Sequence, residues 1–149
     1  MEYSSDGLHL TERFEADGGP RLSAYRDPRG ILTIGWGHTA GVVEGQTCTL
    51  QGAEDFLQAD IAWAQSEVNR LVRVSLSQGE FDALVDFTFN CGAGNFDHST
   101  LLALVNESDM TAAALEFDKW DHCAGQIVAG LLRRRQAETE EFLHPAGDK

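Results

Sequence analysis

The sequence RLSAYRDPRGILTIGWGHT, residues 21–39, decides the fold that we predict for this chain. Apolar and polar residues roughly alternate along it, as they do in a half-buried β-strand. At its centre, Asp27-Pro28-Arg29-Gly30 has proline at the second and glycine at the fourth position of a type I turn. Tyr25 before this turn and Leu32-Thr33-Ile34 after it favour strands. The stretch therefore predicts a β-hairpin.

Helical patterns lie on both sides of the hairpin. A short helix is predicted over residues 8–15, because Asp17-Gly18-Gly19-Pro20 cannot continue it. After Thr49 the apolar residues follow a helical period as far as Leu71. Ser77-Gln78-Gly79-Glu80 is a capping box, and the apolar helix that it opens should be the central buried one, ending at Gly92 and Gly94. Further helices are predicted after Ser99, from Ser108 or Asp109 through to Trp120, and from about Ala129 to Phe142.

Length and element order together predict one α+β domain. The chain has 149 residues, too few for two full domains, and it contains no internal repeat. A small lobe with the hairpin is expected over about residues 15–45 and a helical lobe over about residues 49–143. We expect a cleft where the two lobes meet.

Composition excludes several classes of function. Lys and Arg number 11 and Asp and Glu number 24, which gives a net charge of −13 at pH 7. Both halves of the chain are acidic, so binding to nucleic acid or to an anionic membrane is not expected. The three cysteines form no CxxC and the histidines no HExxH, so we predict no metal site, no cofactor and free thiols. No apolar run is long enough to span a membrane, and MEYSSDGLHL lacks the features of a signal peptide.

Three residues around the hairpin suggest chemistry. Glu15 ends the first predicted helix, Asp27 begins the turn, and Thr33 lies on the returning strand. Hydrolysis of a glycosidic bond needs one carboxylic acid to protonate the leaving oxygen and a second carboxylate to activate water. In the alternative interpretation Glu15 is a surface residue and Asp27 an ordinary turn residue that hydrogen-bonds the local backbone.

Longer motifs extend this pattern over about residues 8–143. In these motifs the chain resembles the phage-type lysozymes, the bacteriophage endolysins of glycoside hydrolase family 24. The matching residues are Arg13-Phe14-Glu15, residues 21–27, Gly30, residues 33–39, residues 54–57, Val68-Asn69, residues 81–87, Asn90-Cys91-Gly92, residues 99–102, Gly130-Leu131, Arg134-Arg135 and Glu138.

The resemblance implies two lobes with a cleft, and cleavage of the β-1,4 bond between N-acetylmuramic acid and N-acetylglucosamine in peptidoglycan. It implies that Glu15 is the general acid and that Asp27 and Thr33 position the attacking water, usually with inversion at the sugar. It further implies that Phe89 and Ser99 contact the substrate.

The chain departs from the family pattern at the first loop. The family usually has eight residues between its glutamate and aspartate, whereas this chain has eleven, residues 16–26. The extra length makes Asp17 a rival candidate for the acid. Because the closure cost of a loop grows slowly with its length, Glu15 remains the candidate that we prefer.

Aromatic residues and one histidine are further candidates for the site. Trp36, between two glycines, is a candidate for stacking on a sugar from a partly exposed position, whereas Trp63 and Trp120 are expected to be packing residues. His38 is a candidate base. We interpret it instead as a structural histidine that hydrogen-bonds an acidic residue of the helical lobe and fixes the hairpin.

Two groups of charged residues lie on the predicted helices. Arg133-Arg134-Arg135 is a basic cluster that we expect to pair with Glu138 or with the acidic surface. Glu54, Asp60 and Glu67 are predicted to form a solvated face.

These patterns together indicate a muramidase, most consistent with a phage or prophage endolysin that acts as a monomer on peptidoglycan. A lytic transglycosylase is an alternative enzyme, and a non-catalytic peptidoglycan-binding or virion module is an alternative of another class. We expect synthesis in the cytoplasm of a host bacterium and action in the periplasm after holin-type release, with delivery by a virion or a secretion apparatus as the alternative.

Overall fold

Seven α-helices and two short β-hairpins make up the part of the chain that the computed structural model describes, namely residues 1–16, 18–123 and 125–144. The helices and strands are α1 (Ser5–Glu15), β1 (Arg21–Arg26), β2 (Leu32–Gly35), α2 (Leu50–Leu71), α3 (Gln78–Cys91), α4 (Ala93–Asp97), α5 (Thr100–Asn106), α6 (Met110–Ala114), a 3-10 helix (Phe117–Trp120), β3 (His122–Cys123), β4 (Gln126–Ile127) and α7 (Ala129–Leu143).

The described residues divide into two compact units. The hairpin unit is Thr11–Ala62, and the helical unit contains Met1–Leu10 together with the described residues from Trp63 onward. Two helices, α1 and α2, therefore begin in one unit and end in the other. No helix in the described ranges combines the length and the apolar character that a membrane span requires.

The predicted hairpin is confirmed in the hairpin unit. β1 and β2 pair antiparallel, with Tyr25 opposite Thr33. The turn is closed by two backbone hydrogen bonds, one from Gly30 N to Asp27 O at 2.8 Å and one from Asp27 N to Ile31 O at 2.9 Å. Gly30 has φ +82°, which matches a type I turn followed by a residue in the left-handed region. Glycine adopts that conformation without steric cost, so the turn depends on it.

The strand β2 lies against α2 through a glycine. Gly35 has φ +65°, and a Cβ atom placed on it would lie 3.3 Å from the Cβ of Ala53. Both residues are buried, as is Ile34 beside them. A larger side chain at either position would push the strand away from the helix, so this contact fixes how the hairpin sits on α2.

Helices α2 and α3 begin at capping residues, close to where the sequence predicted helices to start. The Thr49 hydroxyl accepts a hydrogen bond from Gly52 N at 3.0 Å, before α2. At α3 the predicted capping box is present: Ser77 Oγ accepts from Glu80 N at 3.2 Å, and Glu80 Oε2 accepts from Ser77 N at 2.8 Å. Helix α3 is buried along most of its length, as expected for the central helix.

Aromatic rings from α4 and from the 3-10 helix pack against Phe87 on α3. The Phe87 ring contacts the rings of Phe96, Phe117 and Trp120 edge-on, with centroids 6.2, 5.7 and 5.6 Å away. Edge-to-face packing is a favoured arrangement for aromatic pairs. Phe87 is fully buried, so the cluster is the centre of the helical unit's core.

Helix α7 packs a charged face against α3, and this face contains two arginines of the basic cluster that the sequence predicted to pair with acidic residues. Arg134 donates two hydrogen bonds to Asp86, at 2.9 and 2.8 Å, and Arg135 donates one to Glu138 at 2.6 Å. All four side chains are buried. The predicted pairing with Glu138 is confirmed for Arg135. Of the three arginines only Arg133 is exposed.

The sequence predicted one helix from Asp109 to Trp120, and the structure divides it. Asp109 caps α6, which ends at Ala114, and a 3-10 helix follows. In 3-10 geometry residues three apart share a side, which brings Phe117 and Trp120 together onto Phe87. The short hairpin of β3 and β4 and the short helix α4 were also missed, because segments of two to five residues carry no periodic signal.

Removing the ring at the centre of the aromatic cluster should destabilise the chain strongly. We expect Phe87→Ala to lower the free energy of unfolding by about 3–5 kcal/mol, since a large buried side chain is lost and a cavity is left. Urea denaturation followed by circular dichroism measures this. Leu115→Ala is the control, because Leu115 is 72% exposed and should change stability by less than about 0.5 kcal/mol. Equal effects of the two substitutions would contradict the assigned core.

Glu138 should make stability depend on pH. Burial raises the pKa of Glu138 well above its ordinary value, and the Asp86 carboxylate adds to the rise, while the guanidinium groups of Arg135 and Arg134 oppose it. The folded chain then holds a proton that the unfolded chain releases above a pH of about 4.3. The stabilisation is present below that pH and is lost as the pH rises through the folded-state pKa.

Glu138→Gln is neutral at every pH and therefore isolates this effect. We expect the wild-type chain to lose stability relative to Glu138→Gln as the pH is raised from 4.5 to 8, measured by urea denaturation at several pH values. Glu140→Gln, an exposed carboxylate on the same helix, is the control. A difference between wild type and Glu138→Gln that stays constant over this range would show that Glu138 does not titrate there.

Candidate active site

Glu15, the predicted acid, is the last residue of α1 and is half-buried. The chain leaves the helix directly after it and turns, with a hydrogen bond from Gly19 N to Ala16 O at 3.3 Å. Gly18 and Gly19 both have positive φ, which explains why a glycine pair follows the helix. Asp17, the rival acid, lies outside the described residues.

Asp27 is oriented by the turn that it begins. Its Oδ1 accepts hydrogen bonds from the backbone N–H groups of Arg29 at 2.8 Å and Ile31 at 2.9 Å. Its Oδ2 lies 3.9 Å from Arg29 Nε, an ion pair beyond hydrogen-bond distance. The side chain is 19% exposed. One carboxylate oxygen is thus fixed by the backbone, and the other is available to accept a hydrogen bond.

Thr33 is held by Ile31, one of the two residues whose N–H groups bind Asp27. Its hydroxyl donates to Ile31 O at 2.9 Å, and the residue is 4% exposed. Because the hydroxyl proton is used in that bond, its oxygen can still accept a hydrogen bond. Ile31 therefore binds Asp27 through its N–H and Thr33 through its carbonyl. Sequence analysis did not single out Ile31, whose contribution comes from its backbone.

His38 fixes the segment that follows β2. Its Nδ1 lies 2.9 and 3.0 Å from the two carboxylate oxygens of Asp60, and its ring stacks on Phe56 with centroids 4.3 Å apart. Its backbone also exchanges two 2.9 Å hydrogen bonds with Ile34. The expectation that Asp60 is only part of a solvated face was wrong. Phe56 and Asp60 are four residues apart on α2 and so present one surface to His38.

Two tryptophans differ from the prediction in how far their side chains are exposed. Trp36 is 6% exposed, so the partly exposed ring that we predicted for sugar stacking is in fact buried. Gly35 and Gly37 on either side both have positive φ, and the sharp bend that results leaves Trp36 inside. Trp63, predicted to pack, is 44% exposed. Trp120 is half-buried and packs on Phe87, as predicted.

Phe89 and Ser99 lie in the helical unit, whereas Glu15, Asp27 and Thr33 lie in the hairpin unit. Phe89 is half-buried near the end of α3, with its ring centroid 6.3 Å from that of Trp63. Ser99 is buried and caps α5: its hydroxyl accepts from Leu102 N at 3.0 Å and donates to Phe96 O at 2.7 Å. The cap was predicted, and it occupies the hydroxyl in local structure.

The cysteines and acidic residues form no metal site in the part of the chain that the structure covers, where no three His, Cys, Asp or Glu residues group suitably. Cys48 and Cys91 are free and half-buried. Burial raises the pKa of the Cys91 thiol to about 11. Arg135 Nη1 donates to its sulfur at 2.6 Å, which opposes the rise.

Comparison with known proteins assigns the chain to a family. The sequence model of the family described as phage lysozyme matches residues 15–138. The endolysin of Salmonella phage P22 is 40% identical over 148 residues, covering 96% of this chain and 99% of the relative. The structure of a P22 lysozyme mutant superposes with a TM-score of 0.87 at 37% identity, covering 96% of this chain and 99% of that one.

A second solved structure is also similar to this chain in fold and sequence. The muramidase domain of SpmX from Asticaccaulis excentricus has a TM-score of 0.84 at 39% identity, covering 97% of this chain and 99% of that one. These likenesses confirm the predicted α+β, lysozyme-like fold. With a family match over most of its length and a relative 40% identical across nearly all of it, the chain belongs to the phage lysozyme family.

Proposed function

We propose that this chain hydrolyses the β-1,4 bond between N-acetylmuramic acid and N-acetylglucosamine in peptidoglycan. Its membership of the phage lysozyme family makes it a lysozyme-type glycosidase, and relatives that include an endolysin and a muramidase domain support peptidoglycan as the substrate. In this chain the proposal is carried by one observation, the joint attachment of Asp27 and Thr33 to the peptide groups of Ile31.

The roles follow from what each group can do. Glu15, at the end of α1, donates a proton to the oxygen of the leaving sugar. Asp27 accepts a proton from the attacking water through Oδ2, the oxygen that the turn backbone does not bind. Thr33 accepts a hydrogen bond from the same water and so fixes its orientation. Attack by water on the face opposite the acid gives inversion at the sugar.

Preorganisation supports this assignment. Backbone N–H groups hold Asp27 before any substrate arrives, so its carboxylate does not have to reorient during the reaction. Positioning of this kind lowers the entropic part of a reaction barrier. A lytic transglycosylase, which uses no water, would need the acid but neither Asp27 nor Thr33 in these positions. A non-catalytic wall-binding module would need none of the three.

The substrate-side residues and the cellular setting are also proposals. Phe89 presents a half-buried ring to the glycan, and Ser99 shapes the adjoining surface by capping α5. A net charge of −13 supports a chain that binds no nucleic acid. The names of the endolysin relatives support a role in lysis of a bacterial host. Release from the cytoplasm through a holin-type lesion and action as a monomer in the periplasm complete the proposal.

Glu15→Gln tests the acid. We expect the fold to be kept and lysis of outer-membrane-permeabilised Gram-negative cells, followed as loss of turbidity, to fall about 10²–10⁴-fold, because a positioned proton donor is lost. Asp17→Asn is measured beside it and should stay close to wild type. If instead Glu15→Gln lyses normally and Asp17→Asn does not, the acid is Asp17.

Thr33 tests the water site. We expect Thr33→Ala to be strongly impaired in the turbidity assay and free of any covalent adduct, because one of the two groups that hold the water is gone. We expect Thr33→Glu to be inactive in turnover and to carry a sugar adduct visible by intact mass, since a carboxylate there attacks the sugar directly.

Thr39→Ala, an exposed threonine of the same unit, is the control for both variants. If Thr33→Ala lyses cells at the wild-type rate, Thr33 has only a structural role in the strand, and the water site lies elsewhere. A terminal anhydro sugar in the products of the wild-type chain would show that the reaction is transglycosylation and not hydrolysis.

A further inference from the structure

The residue directly opposite Thr33 in the hairpin is a tyrosine. In the register of β1 and β2, Tyr25 pairs with Thr33. Residues directly opposite each other in an antiparallel pair lie on the same face, with Cβ atoms about 4.5–5.5 Å apart. The pairing continues to Asp27, whose backbone N–H donates to Ile31 O at 2.9 Å. Because side chains alternate along a strand, Tyr25 and Asp27 share a face, and Thr33 lies on it too.

The residue between Tyr25 and Asp27 belongs to the opposite face. Arg26 pairs with Leu32 in the register. Its guanidinium donates to Gly30 O at 2.9 Å and to Glu44 Oε2 at 2.9 Å, so it connects the turn to the loop after β2. Tyr25 is therefore the β1 side chain that directly neighbours both Asp27 and Thr33 on their face of the hairpin.

The ring of Tyr25 is restrained by an arginine. The Arg21 guanidinium carbon lies over this ring, 4.8 Å from its centroid. A cation in that position is attracted to the face of the ring. Tyr25 is also half-buried, so the ring is partly enclosed by its surroundings. The phenol is thus held in one orientation before any substrate arrives.

The hydroxyl of Tyr25 is available to a bound molecule. Within residues 1–16, 18–123 and 125–144 it makes no hydrogen bond, and it is not one of the buried polar atoms that lack a partner. The other tyrosine of the chain differs, because Tyr3 is buried and its hydroxyl donates to Gly7 O at 2.6 Å. A phenol hydroxyl can donate one hydrogen bond and accept others.

The water site described above contains two acceptors and needs a donor. Thr33 gives its own proton to Ile31 O at 2.9 Å, so towards the water it can only accept, as the Asp27 carboxylate does. The attacking water donates both of its protons to these two groups. One of its lone pairs forms the bond to the sugar, and the other can accept a hydrogen bond. A donor on this face would fix the direction in which the attacking lone pair points.

We propose that the Tyr25 hydroxyl is the third group of the water site and donates a hydrogen bond to the attacking water. The inference rests on the proposed function for the reaction, and it adds the residue that sets the orientation of the nucleophile. The proton that the water loses goes to Asp27, and the leaving oxygen receives its proton from Glu15. The Tyr25 proton stays on the phenol oxygen throughout, and Arg21 holds the ring in place.

Tyr25→Phe tests the inference, because it removes the hydroxyl and keeps the ring. Turnover is measured on uncrosslinked strands of alternating N-acetylglucosamine and N-acetylmuramic acid. We expect kcat to fall about tenfold, the loss that corresponds to one neutral hydrogen bond, while KM stays close to that of the wild-type chain. The midpoint of urea unfolding should not change, since the hydroxyl has no partner in the folded chain.

Tyr3→Phe is the matched control, because it removes the other tyrosine hydroxyl of the chain. We expect it to unfold at a lower urea concentration, since the hydrogen bond to Gly7 O is lost, and to keep the wild-type kcat. The two substitutions should therefore have opposite effects on stability and turnover. A kcat that falls equally in both variants would show that turnover follows stability, and would overturn the inference.

A second readout separates the water from the sugar. In a Thr33→Glu chain the new carboxylate is expected to attack the sugar without water, so adding Tyr25→Phe should leave the rate of adduct formation, followed by intact mass, unchanged. If Tyr25→Phe slows the adduct as much as it slows turnover, Tyr25 acts on the sugar or on the strand, and the inference is wrong.

These outcomes differ from failure of the proposed function. Wild-type kcat in Tyr25→Phe would remove Tyr25 from the water site and leave the hydrolase intact. A raised KM with unchanged kcat would make Tyr25 a sugar-binding residue and would equally overturn the inference. Absence of lysis by the wild-type chain under every salt condition would instead overturn the proposed function itself, and this inference with it.

Discussion

The close approach of Gly35 to Ala53 is the constraint on which the hairpin unit depends. Without a side chain at Gly35, the end of β2 lies directly on α2. Phe56 and Asp60 lie three and seven residues beyond Ala53, so the same face of α2 that receives the strand also receives His38. The helix therefore fixes both the strand that carries Thr33 and the bend that follows it. A rigid support of this kind keeps the strand and the candidate site residue Thr33 in place.

Local signals explain what could be predicted. The hairpin turn depends on Asp27 and Gly30 in one four-residue segment, and the start of α3 on Ser77 and Glu80, so each is encoded by neighbours in sequence. The candidate catalytic residues were found in the same way, as members of a compact motif with characteristic spacing. Family membership followed because such motifs recur in order along most of the chain.

Tertiary partners explain what could not be predicted. Asp60 looks like a surface carboxylate until His38 is known to lie over it, and Arg134 looks like part of a basic patch until Asp86 faces it. The exposure of Trp63 depends on how Phe89 meets α2. Each of these outcomes depends on a contact between residues that are distant in sequence. Periodicity and composition do not predict such contacts.

The half-buried thiol of Cys91 is held in its protonated form. Burial raises the pKa of the thiol to about 11, so the thiolate is a minor species at neutral pH. Thiolates, and not thiols, attack disulfides and react with oxidants. A cysteine in this environment therefore reacts slowly with disulfides and oxidants. Under oxidising conditions Cys91 is therefore poorly suited to form a disulfide with another protein.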